Sequence, residues 1–191
     1  MRLDPNQAYC HRSVAWASIL RHNKEGYVTY IEKALAINAN NVTIVGDAGF
    51  GYICIGEFER GMDKLLEATT LNSYYKWFYN VGFCFYFIHT DDFEEALYYA
   101  YKIDRKDYLW DPILKAACLG WLDRLDEVDF YLSEIFRLDP DFPEKADEFL
   151  GIFLLDQSVK ETIIEGLSKA GMQFPQRHKT RNKIIPIKRI V

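Results

Sequence analysis

Apolar side chains recur along this chain of 191 residues at helical spacing. Tyr27, Tyr30, Ile31, Ala34 and Leu35 fall at i, i+3, i+4, i+7 and i+8, one stripe of an amphipathic helix. Phe58, Met62, Leu65, Leu66 and Thr69 form the next such stripe, preceded by Gly56, a residue that suits the turn closing a helix. The same reading predicts helix pairs over 42–55 with 58–71, 74–88 with 92–103, and 109–122 with 125–138. Two more helices are expected over 143–155 and 158–170. Asn23, the Thr90-Asp91-Asp92 run, and Asp156 or Ser158 are the expected caps, Pro112 sits in a first turn, and Gly171 ends the last helix. All predicted elements are helical, so the expected fold class is all-α.

Five short segments repeat at a near-constant interval: Leu3-Asp4-Pro5, Ile37-Asn38-Ala39, Leu71-Asn72-Ser73, Ile103-Asp104-Arg105 and Leu138-Asp139-Pro140. The steps between their leading residues are 34, 34, 32 and 35. A period near 34 marks stacked helix-turn-helix units. The expected division is four units over 6–39, 41–73, 74–106 and 107–140, two capping helices over 143–171, and a flexible tail over 172–191. In such an array each unit buries its apolar face only against its neighbours, which leaves an extended surface suited to binding. Leu3-Asp4-Pro5 matches the end of a second helix that nothing precedes. A fragment of a longer protein is therefore expected, with a homodimer through the uncovered stretch 1–20 as one outcome.

Composition and charge narrow the function classes. The net charge is −5, yet from Arg177 onward the chain holds six basic residues and no acid, so the body carries 17 basic against 28 acidic residues. A body of that sign lacks the basic footprint of a nucleic-acid binder. The tail is expected to be a solvated basic segment, with contact to an acidic surface as an alternative. Cys10, Cys54, Cys84 and Cys118 show no Cys-x-x-Cys spacing and no paired histidines; they are read as free thiols at small positions inside packed helices, which excludes zinc. No signal segment or long apolar run occurs, so no membrane is expected and the expected compartment is the cytoplasm.

No catalytic constellation emerges, and neither an enzymatic activity nor a cofactor is expected. Gly46, Gly49 and Gly51 lie within a predicted helix rather than after a strand, which fits packing better than a phosphate loop. The acidic pairs Asp91-Asp92, Glu94-Glu95 and Asp126-Glu127 open helices, where they suit the positive end of the dipole. His11, His22, His89 and His178 are scattered and form no ligand spacing.

The stretch Trp77-Phe-Tyr-Asn-Val-Gly82-Phe-Cys-Phe-Tyr86 followed by Asp92-Phe-Glu-Glu-Ala-Leu97 resembles a tetratricopeptide repeat. Unit two matches that pattern through Val45, Ala48, Gly49 and Tyr52, then Gly61, Leu65 and Ala68, with Ser73 in place of the family's proline. Unit one matches through Val14, Ala15 and Ser18, then Tyr27, Ile31 and Ala34, and unit three carries an extra turn residue and a shortened second helix. The resemblance spans about residues 1–142. It implies an α-α superhelix in which the first helix of each unit lines a peptide-binding groove. The groove positions it implies are Arg12 and Trp16, then Asp47 and Phe50, then Tyr79, Asn80 and Phe83. Trp16, Phe50 and Phe83 are equivalent under this register and would form an aromatic ladder, oriented by Arg12, Asp47 and Asn80. The other arrangement open to these rings is inter-repeat core, or cover by the chain's own C-terminal helices.

The C-terminal part, Leu138-Asp-Pro-Asp-Phe142 to Ile164-Glu-Gly-Leu-Ser-Lys-Ala-Gly171, is similar to the ends of bacterial arrays of this family attached to class III nucleotide cyclase or DNA-binding regulator domains. The function implied is a protein- or peptide-binding scaffold working through its groove. The alternative is the sensory half of a multidomain cyclase or transcriptional regulator that acts on its own neighbouring domain. The chaperone-tail clamp of the family is not reproduced, since Arg12, Trp16, Asp47, Lys76 and Asn80 stand where that clamp wants Lys, Asn, Asn, Lys and Arg.

Overall fold

The computed structural model describes residues 5–175. Within them ten α-helices follow one another, and no strand occurs among the described residues. They are α1 (Pro5–Leu20), α2 (Lys24–Ile37), α3 (Val42–Ile55), α4 (Phe58–Leu71) and α5 (Tyr79–His89), followed by α6 (Phe93–Tyr101), α7 (Trp110–Trp121), α8 (Val128–Leu138), α9 (Phe142–Gly151) and α10 (Gln157–Lys169). Consecutive helices pair as α1 with α2, α3 with α4, α5 with α6 and α7 with α8, and the first helices of successive pairs also touch. The fold is an all-α, repeat-like solenoid. The segment Leu3-Asp4 and the basic tail from Arg177 lie outside the described residues.

The turn inside each pair is built the same way four times. His22, Gly56, Asp91 and Asp123 adopt left-handed backbone with φ of 55, 90, 57 and 55°, at steps of 34, 35 and 32 residues. The next residue's N–H then reaches back five residues: Asn23 to Ser18, Glu57 to Tyr52, Asp92 to Phe87 and Arg124 to Leu119, at 2.8–3.1 Å. This closure satisfies carbonyls that a helix end would otherwise leave bare. Asn23, Asp92 and Asp156 then cap the following helices through side-chain oxygens, as expected, and Asn41 does the same for α3. The ends of α2, α4 and α8 also share one form, with Asn38, Asn72 and Asp139 extended at φ of −148, −149 and −144°.

The third pair departs from this regularity. The helix expected to begin at residue 74 begins at Tyr79, because the Asn72 side chain accepts from the Tyr74 N–H and turns the chain aside. The helix α6 has only 9 residues and is followed by Asp104 at φ 44°. The helix expected over 143–155 stops at Gly151, freeing residues 152–156 to cross the molecule.

That crossing sets the core. In α3 every residue from Ile44 to Ile55 is buried, in α5 every residue from Tyr79 to Phe85, and in α7 every residue from Trp110 to Gly120. A helix buried all round needs neighbours on every side. The second helices cover the outer side, and the C-terminal pair folds back over the inner one. The helix α10 runs against α7 and reaches α5. Leu155 N–H donates to the Cys54 carbonyl at the end of α3 at 2.8 Å. Phe149 of α9 meets Trp110 with ring centres 5.1 Å apart, and Lys160 and Gly151 share a depression with Leu20 and His22 at the end of α1. The C-terminal stretch therefore reaches α3 through Leu155, α5 and α7 through α10, and α7 again through Phe149.

Close approach makes this possible. A Cβ on Gly120 would stand 2.0 Å from the Gly166 carbonyl oxygen, and one on Gly166 would stand 2.5 Å from the Ala117 carbonyl oxygen. The backbones of α7 and α10 are thus in direct contact, and neither can give way as a side chain could. Substituting Gly120→Ala is expected to lower the unfolding free energy by about 3 kcal/mol in urea denaturation. Gly151→Ala, whose Cβ would meet only the Lys160 ammonium at 3.7 Å, is expected to leave stability within about 0.5 kcal/mol.

Candidate functional site

The helix α3 presents Asp47 toward α1 and α5. Its carboxylate is fully buried. Arg12 Nε of α1 donates to its Oδ2, while Lys76 Nζ lies 3.4 Å and the Tyr79 hydroxyl 3.2 Å from Oδ1. Such a charge is held inside only because several donors replace its water. Burial, then the Asp47 charge and its hydrogen bond, push the Tyr79 hydroxyl well above its ordinary range, against an opposing pull from Arg12. Next to this cluster the Tyr27 hydroxyl donates to the Ala48 carbonyl at 3.0 Å.

An apolar cavity of about 270 Å³ opens beside it. Trp16 comes from α1, Phe50 from α3, Val81 and Phe85 from α5 and Trp110 from α7. Trp77, Phe78 and Tyr108 close the edge from the two connections flanking the third pair, and Phe153 covers it from the crossing segment. The rings form a continuous path: Trp16 to Phe50 at 5.7 Å, Phe50 to Phe85 at 6.4 Å, and Phe85 to Trp110 at 5.1 Å. These tilted, stacked and edge-on contacts are the geometries aromatic rings favour.

Of the expected groove residues, Arg12, Asp47 and Tyr79 come together in the ion cluster, and Trp16 and Phe50 in the cavity wall. Phe83 does not join them. It is 2% exposed and stacks on Tyr99 of α6 at 4.6 Å, while Phe85, two residues on, takes the place beside Phe50. The turns give the reason: Asp91 follows Gly56 by 35 residues, so Phe85 rather than Phe83 is the equivalent of Phe50. Asn80 is also committed internally: its Nδ2 donates to the Lys102 carbonyl and its Oδ1 accepts from the Tyr75 hydroxyl, both at 3.0 Å. Asp47 and Asn80 are therefore joints between helices, closed to a ligand. Trp77, Tyr108, Trp110 and Phe153 were not among the expected groove residues. The first two lie in connections, Trp110 opens a helix whose pairing was hardest to read, and Phe153 belongs to a segment expected to be helical cap.

Three of the four thiols are buried and Cys10 is exposed, so Cys10 does not occupy the packed position expected for it. Cys84 and Cys118, one period apart, meet across α5 and α7, and burial pushes the Cys84 thiol up. Among the described residues no group of three or more His, Cys, Asp or Glu converges as a metal site would, and no helix is long and apolar enough to cross a membrane.

Asp47→Ala is expected to cost about 3 kcal/mol in urea denaturation, since it strands Arg12, Lys76 and the Tyr79 hydroxyl together. Lys76→Ala, removing a half-exposed partner, is expected to cost under about 1 kcal/mol. Burial pushes the Tyr108 hydroxyl up to about 12 from its ordinary value of 10. The unfolded chain thus releases that proton first as pH rises, so the contribution is whole below pH 10 and is lost between about pH 10 and 12. Phenolate absorbance is expected to show Tyr108 ionising late, and a Tyr108→Phe variant to lose less stability across that window than the parent.

Compared with models of known protein families and with curated proteins, the chain matches none.

Proposed function

We propose that this chain is a helical-repeat binding module, a scaffold of tetratricopeptide-like units that takes one apolar anchor of a protein or peptide partner into its aromatic cavity. The observation that carries this reading is the cavity itself. Well-packed cores leave few spaces larger than a water molecule, whereas this one measures about 270 Å³ and is walled by aromatic side chains from four helices and their connections. Its size suits a single bulky side chain, and a buried aromatic or aliphatic anchor in a pocket is what dominates most such interfaces. The repeated turns at His22, Gly56, Asp91 and Asp123 support the repeat-protein assignment.

The recognition residues under this reading are Trp16, Phe50, Trp77, Phe85 and Trp110. The groove is short, because α9 and α10 occupy the rest of the inner side. A long extended peptide along all four pairs is disfavoured for that reason.

The test is selection from a displayed peptide library on the parent chain, followed by binding of the selected peptides to Trp16→Ala. Selected peptides are expected to share one large apolar residue, and their affinity to fall about tenfold in the variant while its circular dichroism stays unchanged. Peptides without a shared apolar residue, or with equal affinity for both proteins, would place recognition elsewhere on the surface.

A further inference from the structure

The aromatic cavity divides into a floor and a mouth. Phe50, Val81, Phe85 and Trp110 are buried and make the floor. Trp16, Trp77, Phe78, Tyr108 and Phe153 are half-buried and stand around the mouth. Phe153 belongs to residues 152–156, which lie outside any helix.

None of the nine lining residues is charged. Cations of the neighbourhood are committed elsewhere. Arg12 and Lys76 pair with the Asp47 carboxylate, and Arg105 lines a separate depression with Asp104 and Asp107. Among the described residues no sealed side-chain nitrogen or oxygen lacks a hydrogen-bond partner. The wall therefore leaves no buried polar atom for an occupant to satisfy. A charged group drawn into the space would lose its water and gain no partner in return. Water itself is a poor occupant, since a buried water needs about two to four polar partners.

Size and shape narrow the choice further. Apolar cavities of about 150 Å³ accept benzene, and this one, at about 270 Å³, has room for two fused rings. Eight of the nine lining side chains are aromatic. A flat aromatic occupant can make with them the stacked and edge-on contacts that they make with one another. An alkyl chain of the same volume cannot, and it gives up more internal freedom on entry. We infer that the cavity is a binding site for a free small molecule, an uncharged two-ring aromatic compound. This goes beyond a protein partner, since no peptide is required for the site to be filled.

The experiment is calorimetric titration of the full chain with four probes: 3-methylindole, indole-3-carboxylate, toluene and octan-1-ol. The first is expected to bind one to one and saturably. Indole-3-carboxylate, nearly the same shape but charged, is expected to bind at least about tenfold more weakly. Toluene, one ring smaller, is expected to be weaker by about tenfold, and octan-1-ol, uncharged but flexible, by roughly fivefold. Val81→Phe, which fills the floor, is expected to abolish binding of 3-methylindole. Trp77→Ala, at the half-buried mouth, is expected to weaken it roughly fivefold, and keeps the site assignment testable if Val81→Phe does not fold. Absence of saturable binding of 3-methylindole to the parent overturns the inference. So does an equal affinity for indole-3-carboxylate, toluene or octan-1-ol, or an unaltered affinity in Trp77→Ala. Peptide selection is scored separately, so failure of the small molecule leaves the peptide-anchor reading to stand or fall on its own result.

Discussion

Everything on the inner side of this molecule depends on how closely α10 can lie against α7. Three first helices carry apolar side chains on all faces, and their outer neighbours can cover only half of each. The remaining apolar surface is hidden only because Gly120 and Gly166 let two backbones meet without intervening side chains. From that seam the preceding segment is positioned to cross over α3, with Leu155 hydrogen-bonded to Cys54 and Phe153 over the cavity. Displacing α10 would expose the sides of α5 and α7 together, a loss larger than any one contact in the seam suggests.

The cavity follows from the same geometry. A C-terminal stretch returning across the array cannot match every contour of the surface beneath it. Where the third pair is irregular, with α5 starting late and α6 short, large rings from the connections fill in from the edge. Trp77 and Tyr108, 4.7 Å apart, make that edge. A space remains at its centre because flat rings of several orientations tile less completely than branched aliphatic chains. The Asp47 cluster beside it fixes α1, α3 and the start of α5 relative to each other, so the wall that carries Trp16 and Phe50 is rigid.

Helix positions were legible in the sequence wherever the 3.6-residue stripe was clean: α4 falls at 58–71, as its stripe predicts. Caps were legible too, because Asn23, Asp92 and Asp156 act through local hydrogen bonds that depend on little else. The site was only half legible. Counting equivalent positions gave Arg12, Trp16, Asp47, Phe50 and Tyr79, which lie in the ion cluster and the cavity wall, and that counting works while the register holds. It failed at Phe83, because the third turn falls 35 residues after the second and makes Phe85 the equivalent of Phe50. It could not find Phe153, since no periodicity tells a C-terminal segment to fold back over residues about a hundred positions earlier. Stripes on α3, α5 and α7 that run all the way round were the available sign that something must cover them.

The return of the C-terminal pair also changes how the molecule folds as a whole. An open array of repeats is one-dimensional: each unit leans only on the next, units can unfold from one end, and contacts stay local. Here the segment that follows α9 reaches the end of α3, and α10 joins α5 to α7, so the line of pairs is closed back on itself. Closure requires the two ends of a long intervening loop to meet, an entropic cost met late and only once the pairs beneath are formed. The array therefore gains the all-or-none melting of a globular domain, at the expense of the quick, piecewise assembly that repeats otherwise allow.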